Sequence, residues 1–369
     1  MSFTPFDEVA MRRALELAAR GLYSAHPNPR VGAVLVRDEQ IVGEGWHERA
    51  GEPHAEPHAL RAAGERARGA TAYVTLEPCS HHGRTPPCVE ALLAAGVRRV
   101  VYAVGDPDPR VNGRGAQLLR AAGVTVESGL LEREAEALNA GFMMRHRKGR
   151  PFVRLKSAAS LDGRTALASG ASQWITSEEA RADVQHWRAQ SAAVLTSAAT
   201  VLADDPRLDV RLETPRQPLR VVLDRRRGVP KKARILAPPG EVLLFAAAPP
   251  KARRARADET LGAARIERVR TLRGHLDLER VFARLGELQI NDVLVEAGPR
   301  LSGALFAAGL VDEWLLYLAP KLLGPAAKPL TSLARLTKLT AAPRFEILES
   351  RTVGPDLRLR LVPRGKQER

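Results

Sequence analysis

Short apolar runs separated by polar segments recur along the whole 369-residue chain and outline its expected elements. The first is a helix with Thr4 as N-cap and Pro5 in its first turn, which runs to about Arg20. Apolar runs at 31–36 and 41–46 flank a polar turn and predict a β-hairpin. The other elements expected in this half are a helix at 54–66, a strand at 71–76, a helix from 88 to 95, a strand at 99–104, a helix at 115–122, a strand at 124–127 and a helix at 132–142. Strands that alternate with helices predict a sheet covered by helices on both faces.

The second half of the chain shows the same alternation. A charged break with glycine and proline at 145–151 predicts a boundary between domains 1–148 and 149–369. A capping box at 176–179 begins a helix that ends near Gln190. The other elements expected are strands at 152–156, 193–196, 219–224, 242–247, 292–296 and 313–319, helices at 276–288 and 300–308, and a closing hairpin of 345–350 and 357–362. The chain is therefore expected to contain two α/β domains.

Composition adds limits on location and class. The apolar fraction of 44% is ordinary for a globular protein, and the length fits two domains. No apolar run is long enough to cross a membrane, so no membrane partner is expected. The N-terminus lacks the charged and apolar regions of a signal peptide, which predicts a cytoplasmic protein.

The net charge of +15 raises the question of nucleic-acid binding, but its distribution argues against it. Residues 1–150 carry 20 Lys/Arg and 18 Asp/Glu, a net of +2, whereas residues 151–369 carry 37 and 24, a net of +13. Part of the excess lies in basic residues at 225–227, 231–232, 234 and 251–256. Two interpretations remain open: a solvated, Arg-rich surface, or cations that hold an anionic ligand such as a phosphate. No nucleic-acid partner is expected.

The clearest chemical signal lies between His54 and Cys88. The chain has two cysteines, Cys79 and Cys88, and both follow His54 and Glu56 closely. One His and two thiolates are three ligands for a tetrahedral zinc, which leaves a fourth position for water. Glu56 lies near enough to transfer protons without being a ligand, which is the arrangement of the zinc nucleobase deaminases. The alternatives are a pair of buried, inert thiols or a disulfide, and the second is disfavoured without a secretory signal.

Other polar residues near this segment are candidates for lining a pocket. They are His26, Asn28, His58, His81 and His82. For each of them a structural or solvated role is equally open. Asn28 lies between two prolines and is the best candidate for a hydrogen bond to a base edge.

Three polar stretches in the second half each follow a predicted strand: 156–165, 197–211 and 296–303. Ligands of α/β sheets bind beyond the carboxyl ends of strands, and glycines at 298 and 303 lead into a helix whose backbone N–H groups suit a phosphate. Lys156 and Glu296 are ionisable groups at predicted strand ends, where a proton donor would be useful. Each stretch is also compatible with a plain turn or strand end.

Two basic residues of this half have a possible phosphate role. Arg188 and Arg211 can each grip a phosphate in a bidentate manner. An ordinary ion pair or a surface charge is the alternative for both.

Gly113 and Gly115 do not form a dinucleotide fingerprint. No third glycine follows at the right spacing, and a polar loop rather than a strand precedes them. They are expected to be loop glycines.

The wording of the cysteine loop points to a particular family. The usual deaminase signature ends Pro-Cys-x-x-Cys, whereas eight residues separate Cys79 from Cys88 here. The loop Glu-Pro-Cys-Ser-His-His-Gly-Arg-Thr-Pro-Pro-Cys resembles the deaminase half of the bifunctional riboflavin-biosynthesis deaminase/reductase family. Segments 156–165, 172–176, 202–206 and 295–299 resemble its reductase half. The likeness covers nearly the whole chain in the right order and is weakest at 226–270.

The resemblance implies a fold and two reactions. It implies an N-terminal cytidine-deaminase-like αβα domain and a C-terminal dihydrofolate-reductase-like α/β domain. The first would deaminate 2,5-diamino-6-(5-phosphoribosylamino)pyrimidin-4-one with one Zn²⁺, and the second would reduce the ribosyl group to ribityl with NADPH. Its partners would be phosphoribosylated pyrimidines, and a homo-oligomer is expected.

The resemblance also assigns roles to residues that match its motifs. The zinc ligands would be His54, Cys79 and Cys88, with Glu56 as catalytic proton shuttle. The matching cofactor positions are Ala158, Trp174, Thr200, Asp204, Gly298, Pro299, Arg300, Leu301, Ser302, Gly303 and Ala304. Arg225, which follows a predicted strand, is a further candidate: its positive charge suits the 2′-phosphate of NADPH. The matching substrate positions are Ser172, Arg188, Leu208, Arg211 and Glu296, and Lys156 and Asn28 are further candidates.

Two other functions compete with this interpretation. A tRNA adenosine deaminase shares the zinc chemistry but predicts a basic zinc domain and the short Cys-x-x-Cys loop. A non-catalytic, zinc-stapled RNA-binding protein predicts a closed four-ligand site and abundant aromatic residues. Aromatic residues are only 4% of the chain, although His81 or His82 is available as a fourth ligand.

Overall fold

The apolar runs of the first 149 residues form one sheet and one core in the computed structural model, which describes residues 3–81, 86–249 and 259–365. The strands are β1 (Gly32–Arg37), β2 (Gln40–Trp46), β3 (Thr71–Leu76), β4 (Arg99–Val104) and β5 (Thr125–Ser128). The helices are α1 (Pro5–Ala19), α2 (Ala55–Ala63), α3 (Cys88–Ala94), α4 (Arg114–Ala121), α5 (Glu132–Leu138) and α6 (Ala140–Lys148). The sheet order is β2-β1-β3-β4-β5, with β1 antiparallel to β2 and β3 and the last three strands parallel.

Glycines in the hairpin let two helices lie unusually close to the sheet. A Cβ on Gly32 would lie 2.0 Å from the carbonyl oxygen of Ala14 in α1. A Cβ on Gly45 would lie 2.4 Å from the carbonyl oxygen of Ala55, the first residue of α2. Because only glycine permits these approaches, β2 fixes the start of α2 and with it the segment that carries His54 and Glu56.

A buried charge cluster fastens α1 to the sheet. Asp7 caps the helix through the Thr4 backbone at 2.7 Å, accepts a bond from the Tyr73 hydroxyl at 2.6 Å and pairs with Arg99 at 2.6 Å. Burial alone would raise the pKa of Asp7, but the bonds from Arg99, Tyr73 and Thr4 hold it well below its usual range. The carboxylate is therefore stabilised in its charged form in the folded protein.

Residues 150–369 form a second compact unit with its own cores. Its strands are β6 (Phe152–Ser160), β7 (Arg164–Ala166), β8 (Ala193–Ser197), β9 (Leu219–Leu223), β10 (Val242–Ala247), β11 (Thr260–Leu261), β12 (Ala264–Val269), β13 (Thr271–Leu272), β14 (His275–Leu276), β15 (Asp292–Glu296), β16 (Glu313–Ala319), β17 (Lys328–Pro329), β18 (Phe345–Val353) and β19 (Asp356–Pro363). Its helices are α7 (Glu178–Gln190), α8 (Ala198–Asp204), α9 (Leu278–Glu287) and α10 (Pro299–Ala307), with short 3₁₀ turns besides. None of the described helices in either unit is long and apolar enough to span a bilayer.

A ten-stranded sheet organises this unit, in the order β11-β12-β10-β9-β8-β15-β6-β16-β19-β18. The strands β8, β15 and β6 are parallel neighbours, and β15 is inserted between the other two although it comes much later in the chain. After β8 the chain adds β9, β10 and β12 on one side of that strand, and β15 then pairs with its other side, next to β6. Such a reversal of strand order opens a crevice at the carboxyl ends of the strands.

Several element boundaries differ from the sequence prediction. The strand predicted at 152–156 continues to Ser160, because β16 pairs with it residue by residue up to Ala319 and outweighs the weak strand propensity of the small residues. The helix after 176 is capped by Ser177 rather than Thr176, since Ser177 accepts the bond from the Ala180 N–H. Lys156 is consequently inside a strand rather than at its end.

The helix predicted at 132–142 is instead two helices that meet at Asn139. The Asn139 side chain is buried, accepts the Arg30 N–H at 2.8 Å and donates to the Arg30 carbonyl at 2.9 Å. These two hydrogen bonds to the Arg30 backbone fix Asn139 and explain why the helix is interrupted there. The charged segment at 145–151 also begins as helix and breaks only at Gly149.

We predict that Asp7→Asn destabilises the first unit by about 2 kcal/mol at pH 7, because it removes the buried one of the two carboxylates that pair with Arg99. The folded-state pKa of Asp7 is depressed, so its contribution is present above the ordinary aspartate pKa and is lost as pH falls through the lower folded value. Urea unfolding measured across pH should therefore show the parent–variant gap shrinking below roughly pH 4.

The matched control is Glu8→Gln, which removes an exposed pair with Arg12 on the same helix. It should change stability by less than about 0.5 kcal/mol. An equal effect of the two variants would contradict the role given to Asp7.

Candidate functional site

The three predicted metal ligands lie together in the first unit. The nitrogen of His54 and the sulfurs of Cys79 and Cys88 all lie within 4.8 Å of one another. His54 Nδ1 is 3.2 Å from the Cys88 sulfur and 3.5 Å from the Cys79 sulfur. Zinc bonds of roughly 2.0–2.3 Å in a tetrahedron place ligand atoms about 3.6 Å apart, so these donors fit the ion.

Each ligand lies at the end of a regular element. His54 is the N-cap of α2, Cys79 follows β3 after two residues, and Cys88 is the first residue of α3. The Cys79 carbonyl accepts the Val89 N–H at 3.2 Å, and its sulfur accepts the Cys88 N–H at 3.3 Å. These two bonds hold Cys79 and the start of α3 next to each other.

The set of ligands stays at three within the part of the chain that the structure describes. His81 is described but does not join the group, and one of its ring nitrogens, Nδ1, is buried without a hydrogen-bond partner. His82 lies outside the described residues. The described geometry matches an open site rather than a closed structural one.

Burial controls the protonation of the groups around this site. Glu56 is 3% exposed, and burial raises its pKa. The thiol of Cys88 donates towards Cys79 and lowers the Cys79 pKa to about 4, with His54 acting in the same direction, while the Cys88 pKa is raised. The pKa values of Glu56 and Cys88 are thus raised, while that of Cys79 is lowered.

The structure adds His47, which sequence reasoning missed. Its Nε2 lies 3.0 Å from the Asn28 amide nitrogen, its Nδ1 lies 3.1 Å from the Pro53 carbonyl, and its ring meets the His54 ring edge-on at 5.4 Å. Burial lowers the pKa of His47 and favours the neutral ring. Since Nδ1 must donate to the carbonyl, Nε2 accepts from Asn28 and leaves the Asn28 amide oxygen free of this contact. Nothing in the local sequence distinguishes His47 from an ordinary loop histidine.

Asp106 is a second buried group near the metal ligands that the sequence did not suggest. It follows β4, is 8% exposed, and accepts the Asp108 N–H at 2.8 Å. Burial raises its pKa to about 7, and the nearby charges of Asp108, Glu77 and Cys79 act in the same direction. Asp106 can therefore exchange a proton near neutral pH.

In the second unit, Glu296, Lys156 and Arg188 meet at the crevice of the large sheet. Glu296 and Lys156 are register partners on β15 and β6, with 4.0 Å between the Lys156 amine and the carboxylate. Arg188 from α7 holds the same carboxylate through two bonds of 2.5 and 3.0 Å. Burial lowers the pKa of Lys156. Burial would raise the pKa of Glu296, but Arg188 and then Lys156 bring it below its usual value.

Arg188 makes a further contact on this side of the sheet. Its third nitrogen donates to the Asp209 carbonyl at 3.1 Å. Its two bonds to Glu296 orient that carboxylate, and a contact of Arg188 with the substrate phosphate stays a prediction. Arg211 is exposed, and its backbone N–H is bound by Gln185 at 3.0 Å, so its side chain keeps the phosphate role as a candidate.

The remaining predicted cofactor and substrate residues lie on the segments that follow β7, β8, β9 and β15, apart from Ala158, which lies within β6. Exposed among them are Trp174, Asp204, Gly298, Arg300 and Ala304; partly exposed are Ala158, Ser172, Thr200, Arg225, Pro299 and Leu301; buried are Leu208, Ser302 and Gly303. Trp174 is 64% exposed, with the Arg181 guanidinium 4.4 Å over its ring. Thr200 lies in the first turn of α8, not at a strand end.

Gly303 has a packing reason for being glycine. A Cβ there would lie 2.0 Å from the Ser332 carbonyl oxygen, whereas a Cβ on Gly298 would meet no atom within 4 Å. Gly298 is therefore the glycine of this turn with space for a ligand beside it.

Comparisons with known proteins agree with this arrangement. The model of the RibD C-terminal domain matches residues 151–359, and that of the cytidine and deoxycytidylate deaminase zinc-binding region matches residues 4–104. Riboflavin biosynthesis protein RibD of Escherichia coli is 55% identical over 96% of this chain and 99% of its own length. The chain belongs to the RibD family. The Haemophilus influenzae protein of the same name is 47% identical over 99% of this chain and 100% of its own length.

Solved structures give the same result for the fold. Acinetobacter baumannii RibD superposes with a TM-score of 0.89 at 47% identity, covering 97% of this chain and 99% of the other. The diaminohydroxyphosphoribosylaminopyrimidine deaminase/5-amino-6-(5-phosphoribosylamino)uracil reductase of Thermotoga maritima gives 0.86 at 34% identity, with coverages of 97% and 99%. The expected pair of domains, zinc-dependent deaminase and NADPH-dependent reductase of riboflavin biosynthesis, is confirmed. The tRNA deaminase and RNA-binding alternatives are not favoured.

We predict one zinc per chain and a large loss of zinc in Cys88→Ser, because a serine oxygen replaces one of three thiolate or imidazole donors. Metal analysis of the purified protein measures this. His58→Gln is the control, since His58 stands outside the three-residue group, and it should keep its zinc. Full occupancy in Cys88→Ser would remove Cys88 from the site.

Proposed function

We propose that the first unit hydrolyses the 2-amino group of 2,5-diamino-6-(5-phosphoribosylamino)pyrimidin-4-one and releases ammonia. The second unit then reduces the ribosyl group to ribityl and gives 5-amino-6-(5-phosphoribitylamino)uracil. The observation that carries the proposal is the open His54, Cys79 and Cys88 group with the buried Glu56 beside it. The Glu296, Lys156 and Arg188 cluster supports the second step.

In the deamination, His54, Cys79 and Cys88 would hold a zinc ion, which would supply the Lewis acidity that makes water a nucleophile near neutral pH. Glu56 accepts the proton of the attacking water and delivers protons to the ring nitrogen and the departing amino group. Its burial-raised pKa suits both directions of transfer. Water is consumed, the ring carbon gains an oxygen, and ammonia leaves.

Asn28 orients the pyrimidine in this proposal. His47 holds the Asn28 amide nitrogen, which fixes the amide so that its oxygen is the group available to a ligand. An amide oxygen accepts hydrogen bonds and therefore selects an N–H or amino group on the edge of the ring.

In the reduction, NADPH would supply a hydride for C1 of the ring-opened ribosyl group, and a protein group would supply the proton for the nitrogen of its C1=N bond. Lys156 is the better proton donor of the cluster, because burial lowers its pKa while Glu296 is held ionised by Arg188. Arg188 positions Glu296, which in turn fixes the amine of Lys156. Arg211 is the candidate for the substrate phosphate.

In this proposal, NADPH binds across the carboxyl ends of β6, β8 and β15. Trp174 offers an exposed aromatic face, and Arg181 fixes its ring from the other side. The N-terminus of α10 begins at Gly298, where open space lets a phosphate approach backbone N–H groups. Leu208 and Gly303 are buried, so they act by shaping the backbone rather than by side-chain contact.

We predict that Glu56→Gln nearly abolishes deamination and leaves reduction of supplied deaminated intermediate close to the parent rate. General acid–base help is worth roughly 10²–10⁴ in rate, and Glu56 serves several transfers. Zinc should remain, because Glu56 is not a ligand. Mass spectrometry of the products with and without NADPH measures both steps. Rapid deamination by this variant would remove the assigned role, and loss of both activities with zinc retained would show that the two units are coupled.

We predict that the parent binds NADPH more tightly than NADH and that Arg225→Ala narrows the difference, because the 2′-phosphate needs a cation. Quenching of Trp174 fluorescence during titration reports binding. Arg226→Ala, at the exposed neighbouring position, is the control and should keep the preference. If the parent bound NADPH and NADH equally well, recognition of the 2′-phosphate would not explain the positive charge of the second half.

Three further expectations stay predictions. A homo-oligomer is supported by β18, which forms one edge of the large sheet and exposes Ile347 and Leu348 by 61% and 50%. An unpaired edge with apolar side chains favours pairing with a second copy, and sedimentation of the purified chain tests this. A cytoplasmic location and the absence of a nucleic-acid partner are the other two, and the basic residues at 251–256 lie outside the described residues.

A further inference from the structure

We infer that Glu77 is a positioning residue of the metal centre, because it fixes the backbone that carries Cys79. The inference rests on the proposed role of Cys79 as a zinc ligand. Glu77 is the residue directly after β3, two positions before Cys79, and is 3% exposed. A glutamate buried to that extent needs compensating partners.

The partners of Glu77 are backbone N–H groups at the start of α4. One carboxylate oxygen accepts the Gly113 N–H at 2.9 Å, and the other accepts the Ala116 N–H at 3.2 Å. Its own N–H donates to the Val104 carbonyl at 2.9 Å, at the end of β4. Glu77 therefore ties the end of β3 both to the neighbouring strand and to the helix that follows it.

Gly115 provides an independent contact on the same segment. A Cβ there would lie 2.1 Å from the Pro78 carbonyl oxygen and 3.2 Å from a Glu77 carboxylate oxygen. The first turn of α4 thus packs directly against Pro78, whose next neighbour is Cys79. The segment is held by hydrogen bonds through Glu77 and by close packing through Gly115.

A carboxylate is the group that suits this position. Two N–H donors point at two different oxygens, and the helix N-terminus favours negative charge. Glutamine has one amide oxygen, so its NH₂ group would face one of the donors. Glu77→Gln keeps the size of the side chain but loses one of the two bonds.

The consequence reaches the metal through the backbone. Cys79 Sγ has little freedom, because it already accepts the Cys88 N–H and lies 3.5 Å from His54. A shift of the Pro78–Cys79 peptide would change the distances among the three ligands. Partners that orient metal ligands typically contribute about 10–100-fold in metal affinity.

The experiment compares three variants of the full chain with the parent. Glu77→Gln removes one of the two hydrogen bonds to the start of α4. Gly115→Ala introduces a Cβ that clashes with the Pro78 carbonyl oxygen. Gln117→Gly is the control, because it lowers the helix propensity of α4 at an exposed position. Zinc affinity is measured by competition with a chromophoric chelator. The reaction of the two thiols with a disulfide reagent is followed in the metal-free protein, where the chain has no other cysteine.

Glu77→Gln and Gly115→Ala should each weaken zinc binding by about 10-fold or more and change the rate at which Cys79 reacts. Gln117→Gly should match the parent in both measurements, and reduction by NADPH should be the same in all four proteins. Parent-like zinc affinity in Glu77→Gln would overturn the inference. An equal loss of zinc affinity in Gln117→Gly would also overturn it, because Glu77 would then act only by stabilising α4. A parent that binds no zinc would instead overturn the proposed deaminase site.

Discussion

Both sites depend on charged side chains that are buried and are stable there because specific partners replace the lost hydration. Glu296 is compensated by Arg188 and Lys156, and Glu77 by two backbone N–H groups of α4. Glu56 lacks such full compensation, and burial raises its pKa. The buried carboxyl groups of the two units therefore differ: Glu296 and Glu77 are held by specific donors, whereas burial dominates the environment of Glu56.

The two sheets place these groups in the same way. In the first unit, Cys79 and Asp106 follow the neighbouring parallel strands β3 and β4. In the second unit, Glu296 ends β15 and pairs in register with Lys156 in the middle of the neighbouring parallel strand β6. Parallel pairing brings together residues that are distant in sequence, which explains why unrelated reactions are built at corresponding edges.

The contrast between Glu296 and Lys156 shows how a pair of ionisable groups acquires different roles. Arg188 makes two bonds to the carboxylate and keeps it charged, while the amine, 4.0 Å away, loses hydration without gaining a comparable contact. The direction of each pKa shift follows from this difference. Arg188 thus keeps the negative charge on Glu296, while the buried amine of Lys156 gives up its proton more readily than an exposed lysine does.

The sequence by itself determined the residue types and spacing at the zinc group, the strands at 71–76 and 99–104, and the family. Local patterns suffice there, because apolar periodicity and the His-Ala-Glu and Pro-Cys wording act over a few residues. Tertiary structure alone decided that β6 extends to Ser160, that His47 fixes Asn28, and that Arg188 holds Glu296. Each of these depends on a partner far away in the chain. It also decided why Gly115 is glycine, since the Pro78 carbonyl oxygen occupies the space that a side chain would need.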